Sequence, residues 1–567
     1  MSKISKQVQT FLKDYLAQRI PLETALNETW WKLAVNDNPD LASSCNHLEY
    51  KFQKLHSSAK HLATIKEFLQ NEGIKKDKLQ FRQLQILQNT FGQEQYSSKI
   101  KKEIIKLSSQ LEYRYNNYRP EFKKNTKLIS LSHKRIISVL KHELNPDKKQ
   151  KLWELSKNRG IVVGPDDFAR LVTLRNRSAR EAGFKNFFEM KLLCNELDPE
   201  TVCNLMDNLQ TSTNSFYQSM KKTIDKKLAS RFSIKASKLM PWHYGDLFFQ
   251  ELPQAITIDF DNLIRKNPLY PVKKFLESLN FNLDRIYENS DFYEKPGKTS
   301  PAFCMDIDRK GSIRILTSLQ KNFSWLETIL HEFAHAIYFD CIDTNLPWLL
   351  KTHAHNFITE GTALWMQNFA FNQNLLSQIQ PDFSFSAAPT QIEQPRLDNL
   401  NWAQKLIFIR WALVVFNFEK NIYQGTGQNW QNLWWELVQK IQLINPPPDR
   451  EDKCDYLAKI HIISNPVYYH NYLLGLIFSA QLDNTIHSIH KKHLGKFSLD
   501  WFSPHLPPGT PNASGSLVGN FLKDKLFHHG KKHEWSKLIE KCTGSKLKLD
   551  FLLSQIEAYS FFPDLEP

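Results

Sequence analysis

The amino-acid sequence predicts a large, mostly α-helical protein with one small β-sheet. Its 567 residues are 41% hydrophobic and 12% aromatic, a composition typical of globular rather than disordered chains. Apolar residues recur at the helical period along most of the chain. At one place, residues 302–316, two short runs typical of strands flank a glycine-containing turn.

Residues 1–155 are predicted to form a run of long helices that contributes no obvious chemistry. Apolar positions at helical spacing mark four segments, namely 5–30, 42–72, 75–117 and 128–144. Pro120 and Pro146 interrupt the run, because proline breaks the interior of a helix. We therefore take 1–155 as a helical region and 156–567 as a second region, which carries the candidate functional residues.

The second region is also predicted to be mostly helical. Pro165 opens a helix that ends at Gly183, and a further helix follows Asp198-Pro199. Further helical patterns cover 356–372, 400–422 and 429–444.

The predicted β-hairpin precedes the most distinctive motif of the chain. Residues 302–307 and 312–316 flank Arg309-Lys310-Gly311, whose glycine suits a hairpin turn. The free edge of such a strand can pair with an extended peptide, which then adds a strand to the sheet. A purely structural hairpin is the alternative.

The most distinctive motif is HEFAH at residues 331–335, inside a predicted helix at 325–341. Side chains four positions apart lie on one face of a helix, so the two imidazoles can bind one metal ion. Glu332 beside them can accept a proton from water. Ser324 and Glu327 predict a capping box at the helix start. Two surface histidines on an ordinary helix are the alternative, but apolar neighbours would impose a desolvation cost on unpaired imidazoles.

A catalytic zinc site takes three protein ligands, so one more is needed beyond His331 and His335. We favour Glu360, the single carboxylate in the predicted helix at 356–372, because a lone buried carboxylate needs a partner. Gly361 next to it would allow close packing against another helix. The alternatives that remain are His353 and His355.

Charge, cysteine pattern and hydropathy narrow the class of protein. The net charge is +15, but the lysines are spread along the chain without basic blocks, so we expect no nucleic-acid partner. The seven cysteines form no C-x-x-C pair, which argues against a disulfide framework or a thiolate zinc site. No apolar run is long enough to cross a bilayer, and the N-terminal residues lack a signal-peptide core. We expect a cytoplasmic protein without a membrane partner.

Five segments of the second region together carry a family resemblance. HEFAH is followed by FITEGTALWM at 357–366, then by AKIH at 458–461 and YHNY at 469–472, and the hairpin AFCMDIDRKGSIRI precedes them all. These segments resemble the gluzincin peptidases of the thimet oligopeptidase and angiotensin-converting enzyme group. The resemblance covers residues 290–480 well and the remainder only in its helical character.

The resemblance implies a two-lobed helical ellipsoid with a deep central channel and a small β-sheet beside the HExxH helix. Region 1–155 would be lid-like. It also implies one Zn²⁺ per chain, held by His331, His335 and Glu360, with Glu332 as the general base and then the general acid.

The resemblance further implies how a substrate is bound. His461 and Tyr472 would donate hydrogen bonds to the developing oxyanion, with Tyr469 nearby on the substrate. Lys459 would bind the free carboxylate of a short peptide. Ordinary core packing is the alternative role for the tyrosines. The hairpin positions that would contact substrate backbone are Ala302 and Cys304.

The sequence thus predicts a zinc-dependent metallopeptidase that hydrolyses short oligopeptides, with release of C-terminal dipeptides as one mode. Two alternatives remain open, an endo-acting oligopeptidase of the thimet type and a non-catalytic, zinc-stabilised peptide-binding protein. The spacing from His461 to Tyr469 is one residue longer than in the converting enzyme, which leaves dipeptide release open. We expect short peptides as substrates and a monomeric protein.

Overall fold

The computed structural model describes residues 2–36, 38–124, 127–131, 133–253, 264, 266–299, 302–379, 394–425, 429–494 and 513–559. Within these ranges helices dominate, and the strands form two separate two-stranded antiparallel sheets. The predicted mostly α class is therefore confirmed. Within the same ranges, no helix combines the length and the hydropathy needed to cross a membrane.

The elements up to residue 253 are helices with one small hairpin. In chain order they are α1 (Lys3–Val35), α2 (Pro39–Leu55), α3 (Ala59–Gln70), α4 (Glu72–Lys76), α5 (Lys78–Gly92), α6 (Ser98–Asn117), β1 (Glu121–Lys124), β2 (Lys127–Ser130), α7 (His133–His142), α8 (Pro146–Lys157), α9 (Arg159–Val163), α10 (Pro165–Glu181), α11 (Phe187–Cys194), α12 (Pro199–Ser212) and α13 (Asn214–Phe232).

The elements after residue 266 include the hairpin that the sequence predicts. They are α14 (Leu269–Ser278), α15 (Asp284–Asn289), β3 (Phe303–Asp306), β4 (Ile313–Leu316), α16 (Phe323–Asp340), α17 (Asn356–Gln367), α18 (Gln373–Ile379), α19 (Gln394–Gln424), α20 (Trp430–Leu437), α21 (His461–Ser464), α22 (His470–Leu494), α23 (Ala513–Lys525), α24 (Trp535–Thr543) and α25 (Asp550–Tyr559).

Contacts between residues divide the chain into two compact units. The first comprises Met1–Gln95, Phe260–Leu397 and Leu474–Gln555, and the second comprises Tyr96–Asp259, Asp398–Leu473 and Ile556–Pro567. The division at residue 155, the two-lobed form and the channel stay predictions.

The helix boundaries in 1–155 differ from the predicted ones. Segment 42–72 divides where the Ser58 hydroxyl accepts a hydrogen bond from the first turn of α3, and 75–117 divides where Ser97 does the same for α6. Segment 128–144 begins as a strand, because residues 127–130 pair with β1. Such short strands hold too few apolar residues for their period to be recognised.

The predicted hairpin is confirmed, with four-residue strands in antiparallel register. Arg309 and Gly311 in its turn have positive φ angles of 56° and 100°. The Asp308 carboxylate accepts hydrogen bonds from the backbone N–H groups of Lys310 and Ser312, at 2.8 and 3.2 Å. Both strands pack against α16, so the sheet lies beside the HExxH helix as expected.

Helix α1 holds the turn of this hairpin. The Glu23 carboxylate pairs with the Arg309 guanidinium at 2.6 Å, and that guanidinium lies 4.0 Å from the ring centroid of Trp348. The Asn27 amide donates to the carbonyl of Ile307 at 3.1 Å. A partly buried ion pair and a side-chain-to-backbone bond thus fix the hairpin on α1.

Candidate metal centre and active site

Helices α16 and α17 bring together the three side chains that the sequence suggests as metal ligands. Nε2 of His331 and Nε2 of His335 lie 3.1 Å apart. One carboxylate oxygen of Glu360 lies 3.4 Å from the first nitrogen and 4.0 Å from the second. The alternative ligands His353 and His355 do not belong to this cluster.

Helix α16 forms because its apolar residues repeat at the helical period, and Leu326, Ile329 and Phe333 are fully buried. The predicted capping box is wrong. The helix begins one residue before Ser324, and the side chain of Asn322 accepts the capping hydrogen bond at 3.0 Å. Glu327 instead accepts a hydrogen bond from Gln367 of α17.

The ring orientations direct lone pairs to one place. Nδ1 of His331 lies 3.1 Å from the Gln367 carbonyl oxygen, so this nitrogen donates and Nε2 carries the lone pair. Burial, together with the neighbouring His331, lowers the pKa of His335 to about 3, so this ring is neutral. Burial opposes protonation of His331 too, but Glu360 raises its pKa. The cluster therefore favours a positive charge at its centre.

The donor set fits a zinc ion. With Zn–N bonds of about 2.0–2.1 Å, the ligand atoms of a tetrahedral site lie about 3.3–3.4 Å apart. The observed separations of 3.1, 3.4 and 4.0 Å bracket that value. Two imidazoles with one carboxylate are a ligand set of catalytic zinc sites, which keep a further position open.

Two residues that the sequence analysis missed orient the imidazoles. The hydroxyl of Thr359 lies 2.7 Å from Nδ1 of His335, and Gln367 holds His331 while its own amide donates to Glu327 at 3.1 Å. Partners of this kind fix the tautomer and ring position of metal-binding histidines. Gln367 stands seven residues after Glu360, two helical turns on, and this spacing could have indicated it.

Glu332 is buried next to the cluster, with 7% of its surface exposed. Burial raises its pKa to about 7, a rise that His331 opposes and Glu360 reinforces. Burial also raises the pKa of the Cys304 thiol in β3, and the charge of Glu332 adds to this rise. The structure thus brings Cys304 close to Glu332, and it leaves Ala302 partly buried at the start of the strand.

One edge of the hairpin is open within the part of the chain that the structure describes. Strand β3 pairs with β4, and β4 makes a further bridge between Leu316 and Asp291 on its other side. No described strand pairs with the outer edge of β3. Unpaired backbone groups on such an edge can bind an extended chain.

The predicted oxyanion residues cluster in the second unit. The rings of His461 and Tyr469 have centroids 5.7 Å apart, and those of Tyr469 and Tyr472 are 5.4 Å apart. His461 and Tyr472 are partly exposed, whereas Tyr469 is buried. Burial raises the pKa of the Tyr469 hydroxyl far above its usual value, so it stays a proton donor.

Lys459 has a partner that the sequence did not indicate. Its Nζ donates to the side-chain carbonyl of Gln250 at 2.9 Å. Burial lowers the pKa of Lys459 to about 8, although the carboxylates of Asp246 and Glu251 oppose the shift. Because the metal-ligand candidates lie in the first unit and this group in the second, the joint roles assigned to them stay predictions.

These features define a class of mostly helical proteins in which an HExxH helix packs against a helix that carries a glutamate. The family model described as Angiotensin-converting enzyme, Peptidase_M2, matches residues 2–297 and 273–555. The chain belongs to this family.

Three relatives illustrate the similarity. Angiotensin-converting enzyme-like protein Ace3 of Mus musculus is 30% identical over 146 residues, which are 25% of this chain and 18% of the relative. Angiotensin-converting enzyme of Bos taurus is 23% identical over 457 residues, 68% of this chain and 33% of the relative. Carboxypeptidase 1 of Bacillus subtilis (strain 168) is 24% identical over 304 residues, which are 50% of this chain and 55% of the relative. The first curated relatives are matched over 18%, 23% and 25% of their own length.

The hydrogen bond that His331 donates to Gln367 yields a first prediction. Gln367→Ala should weaken Zn²⁺ binding by about 10–100-fold, because the imidazole loses the acceptor that fixes its tautomer. Competition with a chelating dye would measure the affinity. Thr328→Ala serves as the control, since Thr328 lies on α16, the helix of His331, but its hydroxyl donates to the carbonyl of Ser324. Equal affinities in the two variants would contradict this role of Gln367.

Proposed function

We propose that this chain is a zinc-dependent peptidase that hydrolyses short peptides. The convergence of His331, His335 and Glu360, with ligand atoms within 4.8 Å of one another and with Glu332 buried beside them, carries the proposal. Membership of the angiotensin-converting enzyme family supports it.

Zinc is the metal that this donor set favours, and His331, His335 and Glu360 would hold it. When bound, Zn²⁺ acts as a Lewis acid on the scissile carbonyl and lowers the pKa of water. Gln367 and Thr359 would keep the imidazoles in place during the reaction.

Glu332 would move the proton that amide hydrolysis requires. As a carboxylate it takes a proton from the attacking water, and as a carboxylic acid it gives this proton to the leaving amine. A pKa of about 7, raised chiefly by burial, suits a group that must act in both directions near neutrality.

His461 and Tyr472 would supply hydrogen bonds to the oxyanion that forms on the scissile carbonyl. Neutral donors in a site shielded from water stabilise such a charge more than the uncharged substrate, and this difference accelerates the reaction. Tyr469, kept protonated by burial, would contact the substrate beside them.

Lys459 with Gln250 would bind the free carboxylate of a short peptide. The lysine offers a point charge, and the amide N–H groups of Gln250 offer hydrogen bonds. The outer edge of β3, with Ala302 and Cys304, would pair with the substrate backbone. Together these features favour release of residues from the C-terminus, and dipeptides are the products that we propose. The name of the Bacillus relative, a carboxypeptidase, supports the same direction of attack.

The open edge of β3 would equally serve internal cleavage of the thimet type, or peptide binding without catalysis. The test of the proposal is digestion of unlabelled peptides of graded length by zinc-loaded protein, with the products weighed by mass spectrometry. Loss of C-terminal residue pairs is expected. Internal cuts would support the endopeptidase alternative, and intact peptides that nevertheless bind would support the non-catalytic one.

The lowered pKa of Lys459 gives a prediction on pH. The ammonium group is charged below a pKa of about 8 and neutral above it, so kcat/KM for peptides with a free C-terminus should fall above this pH. Lys459→Arg should remove this decline, because a guanidinium keeps its charge. Rates at graded pH on free and C-terminally amidated peptides would measure the effect. An identical decline on the amidated peptide would show that Lys459 does not bind the terminal carboxylate.

A further inference from the structure

Two glycines lie face to face where α17 meets α22. A Cβ atom built on Gly361 would lie 2.6 Å from the carbonyl oxygen of Gly475 and 2.8 Å from the ring of Phe478. A Cβ built on Gly475 would lie 3.0 Å from the backbone nitrogen of Gly361 and 3.1 Å from the Cβ of Glu360. A side chain at 361 would overlap α22, and a Cβ at 475 would be tight enough that its neighbours in α17 must give way by a few tenths of an ångström.

Gly475 therefore lies against the base of the Glu360 side chain. Its neighbours in α17 are backbone atoms and a Cβ, which cannot move aside as the end of a flexible side chain can. A methyl group at 475 would therefore press on the α17 backbone at Glu360, and a packed interior has little spare volume to absorb the displacement.

A polar contact on the same two helices fixes their register. The indole N–H of Trp365, five residues after Glu360, donates to the carboxylate of Asp483 at 3.0 Å. The other oxygen of Asp483 accepts from Gln555 of α25 at 2.8 Å, which holds the carboxylate in place. The glycine contact and this hydrogen bond together fix α17 on α22 at two points.

We propose that Gly475 is a positioning residue for Glu360, which sets how far the carboxylate reaches toward the two imidazoles. The inference rests on the proposed function, since it concerns zinc binding by the same three residues. Helix α17 also carries Thr359 and Gln367, which contact the Nδ1 atoms of the two imidazoles. A shift of α17 changes all three contacts at once.

The test compares Zn²⁺ affinity in wild-type protein and in Gly475→Ala. Gly519→Ala is the matched control, because a Cβ at Gly519 would lie 1.7 Å from the carbonyl oxygen of Leu279, a backbone overlap with no part in the metal cluster. Both substitutions are expected to lower the melting temperature of the metal-free protein. Gly475→Ala should in addition weaken Zn²⁺ binding by about tenfold or more, the scale seen when partners of metal ligands are lost. Gly519→Ala should leave the affinity within twofold of wild type, or about 0.4 kcal/mol at the conversion of 1.4 kcal/mol per factor of ten.

A milder variant keeps the inference testable if Gly475→Ala does not fold. Trp365→Phe retains the aromatic packing but removes the hydrogen bond to Asp483, and it should weaken Zn²⁺ binding several-fold by loosening the same helix pair. If wild-type protein binds Zn²⁺ and both variants bind it as tightly, the positioning role is wrong and the proposed function stands. If wild-type protein binds no Zn²⁺, the proposed function and this inference fail together.

Discussion

The packing of α17 against α16 is the contact on which the rest of the site depends. It holds a buried carboxylate, Glu360, within 4.0 Å of the Nε2 atoms of two imidazoles. A buried carboxylate beside two imidazoles is costly in a site of low dielectric unless positive charge lies among them, and a bound cation supplies that charge. The folded chain maintains this arrangement by packing and by the hydrogen bonds that link the two imidazoles to Thr359 and Gln367.

The surrounding elements follow from the same requirement. The hairpin lies against α16, and α1 fixes its turn through the Glu23–Arg309 pair, so β3 lies beside the HExxH helix. Burial around Glu332, reinforced by the charge of Glu360, raises the pKa of its carboxyl group to about 7. A strand edge, a buried carboxyl group and a candidate metal-binding cluster thus come from one short segment of chain, together with α17.

Sequence patterns within single helices and turns predicted part of this site. The apolar face of α16 and the four-residue spacing of His331 and His335 are properties of one helix, and the glycine turn of the hairpin is equally local. Glu360 could be predicted as the third metal ligand because it is the one carboxylate in an apolar helical stretch. The helix boundaries in 1–155 were less predictable, since single serine caps at Ser58 and Ser97 divide long periodic segments.

Residues whose roles arise from tertiary packing could not be predicted. Gln250 meets Lys459 across 209 positions of sequence, and nothing local to either residue indicates the contact. Glu327 has the spacing of a capping residue, but its carboxylate turns to Gln367 once α17 lies beside it. The role of Gly475 likewise depends on its contact with the backbone of another helix.

The most direct test of the central claim is Glu332→Gln, with zinc content and peptide hydrolysis measured on the same preparation. The amide keeps the size of the side chain but cannot accept a proton from water. Asp340→Asn is the matched control, a carboxyl-to-amide change at the end of the same helix, where Asp340 pairs with Arg285. We expect about one zinc per chain in all three proteins and a loss of at least about a hundredfold in turnover for Glu332→Gln alone. Full activity of zinc-loaded Glu332→Gln would contradict the account.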